Sequence, residues 1–225
     1  MALSQADKDR WAEIDSILAE HKTTLKEATT HETLKEFAAE HGFNNQSDFG
    51  KFKHSLKKLG VNYDELRAAT FAARDEQQAQ LLDSLDDDAP WLALWVAAHD
   101  EDGKAAFAIV SDDRDALWYG NFFDDDRIWV KGNLVSAEQS VADKAVFLAS
   151  KALKQAGHEL GRVEITTTCP DLDTTALKSS GARLGVAVEL IVDDDDDRAL
   201  VMAKEPGFKK WQDNDLASLV VNDND

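Results

Sequence analysis

Apolar residues recur at helical spacing through the first third of the chain and give way to short unbroken runs after residue 90. Residues 5–28 place Trp11, Ile14, Leu18 and Leu25 on one stripe, which predicts a long surface helix. Thr29 and Glu32 make a capping-box pattern ahead of a helix over 31–41, with Leu34, Phe37 and Ala38 inward and Gly42 as its stop. A third helix over 46–59 carries Phe49, Phe52, Leu56 and Leu59 on one face and ends at Gly60. Asn62 with Glu65 starts a fourth over 63–74. Residues 75–90 lose this periodicity and close on consecutive aspartates and Pro90, the texture of a helix end and linker, so a domain boundary is expected near 85–89.

Beyond the boundary, 91–98 (WLALWVAA) is the kind of continuous apolar run expected of a strand buried on both faces. The segment 100–104 contains Asp-Gly and predicts a hairpin turn. Strands over 105–111 and 117–123 follow, with 127–130 as a short extension. Then comes an amphipathic helix with Val141, Ala145, Leu148, Ala152 and Ala156 on one face, Ser136 as N-cap and Gly157 as stop. A strand over 163–168, a helix over 172–180, a strand over 186–192 and a helical stretch over 195–204 complete the series. The expected fold class is mixed α/β. A helical domain (1–85) precedes a β-β-β-α-β-α-β-α domain (89–208), and an acidic-hydrophobic tail (209–225) closes the chain.

Charge sharpens that division. Residues 1–83 hold 11 Lys/Arg against 15 Asp/Glu, whereas residues 84–225 hold 14 against 29, within a total net charge of -19. The second part repels a nucleic-acid backbone unless metal ions or a local basic patch intervene. The same acidity also fits solubility or adaptation to high salt. No run of 18 apolar residues occurs, so no membrane span is expected. The N-terminus is too polar for a signal peptide, and the lone Cys169 rules out an internal disulfide, so the expected location is cytoplasmic. There is no phosphate loop, no GxGxxG and no HExxH, and Cys169 reads as an ordinary buried thiol.

Residues 34–67 carry Ala38, Gly42, Phe43, Asn45, Gln46, Ser47, Phe49, Gly60, Val61 and Arg67, and in these they resemble one helix-turn-helix unit of AraC-type transcription regulators. That resemblance implies that the helix beginning at Gln46-Ser47 enters a major groove. Lys51, Lys53, His54, Lys57 and Lys58 would then meet DNA or RNA phosphates from residues 46–59. The gap from Gly42 to Gly60 is two residues longer than the family pattern, and the family's second unit is not evident.

The order of elements after residue 90, together with 136–172 and 186–204, resembles the ribonuclease H-like superfamily. The resemblance implies carboxylates that bind two Mg²⁺ or Mn²⁺ ions for phosphodiester hydrolysis. Here the candidates are Asp100 (or Asp102) after the first strand, Glu138 on the central helix, Asp171 (or Asp173) after the fourth strand, and Asp195 among the five aspartates at 193–197. By direct count Ala142 and Thr168 stand where two of those acids belong. The expectation is therefore a nucleic-acid-associated binding or regulatory protein with a degenerate ribonuclease H-like domain. The alternatives are a divalent-metal-dependent nuclease, and an acidic interaction protein that mimics nucleic-acid charge and inhibits by occupying a basic site. Trp118 or Phe122 could offer a stacking surface for bases. The tail, with Trp211, Leu216, Leu219, Val220 and Val221 among acids, could dock on a basic protein partner or fold back on the domain.

Overall fold

A computed structural model describes residues 4–86, 88–101 and 104–222. The chain divides into two compact units, Met1–Arg74 and Asp75–Asp225. The first holds α1 (Gln5–Glu20), α2 (Lys22–Glu27), α3 (His31–Glu40), α4 (Gln46–Lys58) and most of α5 (Tyr63–Asp83). The helix expected over 5–28 breaks at His21 (φ -102°, ψ 17°), just ahead of the β-branched pair Thr23-Thr24, and the break lets Leu25 turn inward. α5 continues through 75–83, where the fading periodicity had suggested a linker. Ile14, Leu18, Leu34, Phe43, Phe52 and Leu56 form the core of this unit. Gly42 ends α3 in the left-handed region (φ 72°), and the Phe43 N–H then donates to Ala38 O at 2.7 Å. This closing turn drives Phe43 beneath the helices.

The second unit is built on a five-stranded sheet of β1 (Trp91–Glu101), β2 (Lys104–Val110), β3 (Ala116–Asn121), β4 (Gly161–Thr167) and β5 (Val186–Val192), in the order β3-β2-β1-β4-β5. β1 pairs antiparallel with β2, and β2 with β3, while β1/β4 and β4/β5 are parallel. α6 (Leu134–Gln155), α7 (Thr174–Leu184) and α8 (Arg198–Ala203) complete a β-β-β-α-β-α-β-α topology that matches the general ribonuclease H-like architecture. The hairpin residues Asp102 and Gly103 lie outside the described residues.

α6 fills the core because Val141, Ala142, Ala145, Val146, Leu148, Ala149 and Ala152 are all fully buried, together with Leu92 and Leu94 of β1. The cap of α6 is Asn133, whose Oδ1 accepts from Ser136 N at 3.0 Å, so Ser136 lies inside the first turn rather than ahead of it. β1 alternates in its first half: Leu92 and Leu94 are buried, whereas Trp91, Ala93 and Trp95 are half-buried. The segment 127–130 is a turn, not a strand, because Asp126 Oδ1 accepts from both Ile128 N and Trp129 N at 2.9 Å. Residues 209–221 fold back on the sheet. Lys209 bridges to Tyr119, Val221 bridges to Trp91, and Leu216 is buried in the core. Among the described residues, no helix is long and apolar enough to cross a membrane.

Candidate functional site

β1 outruns β4. Their last paired residues are Trp95 and Thr166, while β1 continues to Glu101. Past that point β1 has a strand on one side only, and Glu138 of α6 comes in on the vacant side. Glu138 is 4% exposed, and its Oε1 accepts from Ala98 N at 2.9 Å. Oε2 is buried with no hydrogen-bond partner. Burial pushes this carboxyl up to about 7, opposed by the single N–H from Ala98. Asp100, two residues further along β1, is half-buried, with Oδ2 also sealed from solvent and unpartnered. Just after β4, burial raises the Cys169 thiol, and the charges of Glu138 and Asp171 raise it further, opposed by a hydrogen bond from the Asp171 backbone.

The structure thus brings Glu138 and Asp171 each within electrostatic reach of Cys169. Asp171 itself is exposed. Asp195 stands in the exposed loop after β5, where its N–H donates to Asp193 Oδ1 at 3.0 Å. Its neighbour Asp196 is tied to Arg198, whose guanidinium lies 4.0 Å from the Trp95 ring centroid. Among the described residues, no three His, Cys, Asp or Glu side chains are gathered closely enough to hold a metal ion. Glu138 meets the Ala98 N–H, Asp100 follows two residues along β1, and Asp171 is exposed after β4. A pair of Mg²⁺ or Mn²⁺ ions requires several charged oxygens converging from one side, and among the described residues these carboxyls do not form such a group.

The α4 surface is the other candidate. Asn45 caps α4, its Oδ1 accepting from Asp48 N at 2.9 Å. The Asp48 side chain turns inward and accepts from Asn45 Nδ2 at 2.8 Å and from Arg10 Nε and Nη2 at 3.1 and 2.9 Å. The hydrogen bonds from Asn45 and Arg10, with a longer one from Lys51, hold this carboxyl at about 2. The basic residues expected to reach phosphates are engaged to different degrees. Lys51 lies 3.3 Å from Asp48 and 3.4 Å from Asp7, Lys53 lies 2.9 Å from Asp64, and Lys58 lies 3.4 Å from Asp15. His54 meets the edge of Trp11. Lys57 is exposed and makes no ion pair among the described residues.

A feature the sequence pattern did not single out runs along the outer edge of β3. Phe122, a candidate stacking residue, is buried at 8% exposure, whereas its neighbour Phe123 is 77% exposed. Phe208, in the stretch Gly207-Phe208-Lys209-Lys210-Trp211, is 70% exposed. Both line a cavity of about 560 Å³ with Trp118 and Trp211. The available signal was a pair of aromatics set among lysines in an otherwise acidic stretch. Against protein-family models and against curated proteins, the chain has no match.

Proposed function

We propose that the chain is a nucleic-acid-associated binding protein whose second unit keeps the ribonuclease H-like architecture as a scaffold without hydrolytic chemistry. The observation that supports this reading most is the exposed face of α4. In a chain of net charge -19, this 13-residue helix holds one acid, Asp48, and that acid is turned inward and consumed by Asn45, Arg10 and Lys51. Gln46, Ser47, His54 and Lys57 are left on a surface without a carboxylate of its own, beside Lys58, which Asp15 of α1 meets at 3.4 Å. A helix that follows a tight glycine turn and offers amide, hydroxyl and cationic groups outward is equipped to read or hold a nucleic-acid backbone. The spread of Asp100, Glu138, Asp171 and Asp195, which form no group of three able to hold a metal ion among the described residues, supports binding without cleavage.

The test is fluorescence anisotropy of labelled duplex DNA with the full chain at about 50 mM and about 200 mM salt. His54→Ala with Lys57→Glu is expected to weaken binding about tenfold and to flatten its salt dependence. An unchanged affinity in that variant, or none in the wild type at low salt, rejects the reading.

A second reading has its own observation. Residues 75–225 hold 14 Lys/Arg against 32 Asp/Glu, so that unit carries almost the entire charge of the chain. Trp91 and Trp95 line a cavity of about 560 Å³ with Asp112, Asp113, Asp115 and Glu164. An acidic face of this kind suits a basic protein partner, as in an inhibitor that mimics nucleic-acid charge. This reading requires association with a basic protein that weakens steeply with salt and leaves the α4 surface free.

A further inference from the structure

We infer that the groove along the outer edge of β3 is a binding site for single-stranded nucleic acid, with bases stacking on its aromatic rings and phosphates meeting its lysines. The inference rests on the nucleic-acid reading above but uses a different surface.

The groove is a cavity of about 560 Å³, and a second cavity of about 380 Å³, toward α8, shares Gly120, Asn121 and Gly207 with it. The aromatic lining of the groove includes Trp118, Tyr119, Phe123, Phe208 and Trp211. Two of these rings are held in place. Trp118 meets Phe107 edge-on with centroids 5.5 Å apart, and Trp211 meets Phe147 edge-on at 5.6 Å. Phe123 and Phe208, at 77% and 70% exposure, are the two most exposed large apolar side chains among the described residues. Fixed rings in the wall and free rings at the rim make a platform with a clamp, the arrangement that base stacking uses. Two bare phenyl rings beside one cavity also mark a surface kept for a ligand.

The charges in the groove depart from those of the unit around it. Lys209 and Lys210 line the aromatic cavity with no acid among its described lining, whereas Lys104 and Lys204 line the neighbouring cavity with Glu101 and Glu205. Four of the 14 basic residues in 75–225 therefore line these two neighbouring cavities. Lys209 Nζ is committed to Ala116 O at 2.6 Å, whereas Lys104, Lys204 and Lys210 make no ion pair among the described residues.

The backbone argues against a peptide strand as occupant. β3 is an edge strand, but Tyr119 N–H donates to Lys209 O at 3.2 Å and Lys209 N–H donates to Tyr119 O at 3.0 Å. The edge is therefore already occupied where an added strand would pair. Gly120 allows this seat, since a Cβ on it would lie 3.0 Å from the Phe208 Cβ. What remains available is ring faces and ammonium groups, which suit unpaired bases and phosphates rather than a paired duplex.

The experiment measures anisotropy of a labelled oligothymidylate of about 12 nucleotides against the full chain, with a labelled duplex in parallel. Phe123→Ala with Phe208→Ala is expected to weaken single-strand binding at least about tenfold and to leave duplex binding unchanged. Lys210→Glu should weaken it severalfold, and thermal melts of all variants should overlay that of the wild type. Quenching of tryptophan fluorescence by the oligothymidylate should vanish in the double variant. Single-strand binding that survives the groove variants but is lost in His54→Ala with Lys57→Glu overturns the groove and leaves the α4 reading standing. Single-strand binding lost only in the groove variants, with no duplex binding, upholds the groove and removes the α4 reading. A chain that ignores both oligonucleotides overturns both, and a groove that takes an aromatic or proline-rich peptide instead overturns the groove alone.

Discussion

Asp48 at the start of α4 and Glu138 near the start of α6 are both buried carboxyls, at 9% and 4% exposure, yet they behave as opposites. Asp48 accepts from an amide, a guanidinium and an ammonium, and it stays ionised down to about 2. Glu138 accepts one backbone N–H, keeps an orphaned oxygen, and takes up a proton near 7. Burial alone does not decide the charge of an acid; the number and charge of its donors do. The first site locks a helix N-terminus to Arg10 of α1. The second leaves a proton where the sheet opens between β1 and β4.

The largest expected effect separates the two by pH. The Glu138 carboxyl lies above its ordinary value of 4.5, so the unfolded chain releases this proton before the folded one does. Its favourable contribution is full below about 4.5 and is lost as the pH rises through about 7. The second unit should lose roughly 3 kcal/mol across that window, read by hydrogen exchange of the β1 and β4 amides. Glu138→Gln should flatten the slope, and a slope that persists in this variant assigns it to other groups. Asp48 has the opposite sign. Its contribution is present above about 3.8 and is lost as the pH falls through about 2, so the first unit should weaken only in strong acid.

The next effect is a substitution. Asp48→Asn keeps the shape but leaves Arg10 facing a neutral amide, and should cost the first unit about 2 kcal/mol in denaturant melts followed at Trp11. A loss confined to a few tenths would show that the Arg10 fork adds little beyond the Asn45 cap. The smallest effect is salt. Residues 1–74 hold 11 Lys/Arg against 12 Asp/Glu, while the second unit holds 14 against 32. Raising salt from about 50 to about 500 mM should stabilise the second unit by under about 1 kcal/mol and leave the first unmoved. Equal responses would erase the electrostatic contrast between them.

The element order was legible in the chain because Val141, Ala145, Leu148 and Ala152 repeat at helical spacing and the strand runs are dense in apolar residues. The burial of Glu138 was also within reach. It lies three residues before Val141 and four before Ala142, on the same buried stripe, but placing the cap at Ser136 instead of Asn133 put it in the solvated first turn. The ion pairs of α4 were not legible, since Asp7, Asp15 and Asp64 reach Lys51, Lys58 and Lys53 from other helices. The closing segment was harder still. Trp211, Leu216 and Leu219 pack through two short 3₁₀ turns, Trp211–Asp213 and Ala217–Leu219, which leave no periodic trace.

The bridge between Trp91 and Val221 gives the second unit a mechanical character. Two hydrogen bonds, 3.1 and 2.8 Å long, fasten the beginning of β1 to the far end of the folded-back segment in antiparallel sense. Tension applied ahead of Trp91 and beyond Val221 loads these bonds one after the other, as in a zip, rather than together in shear. The closing segment would peel before the sheet yields, and Phe208 and Trp211 travel with it. A pull too weak to unfold the domain would therefore dismantle one wall of the β3 groove while leaving Glu138 and its strand ends undisturbed.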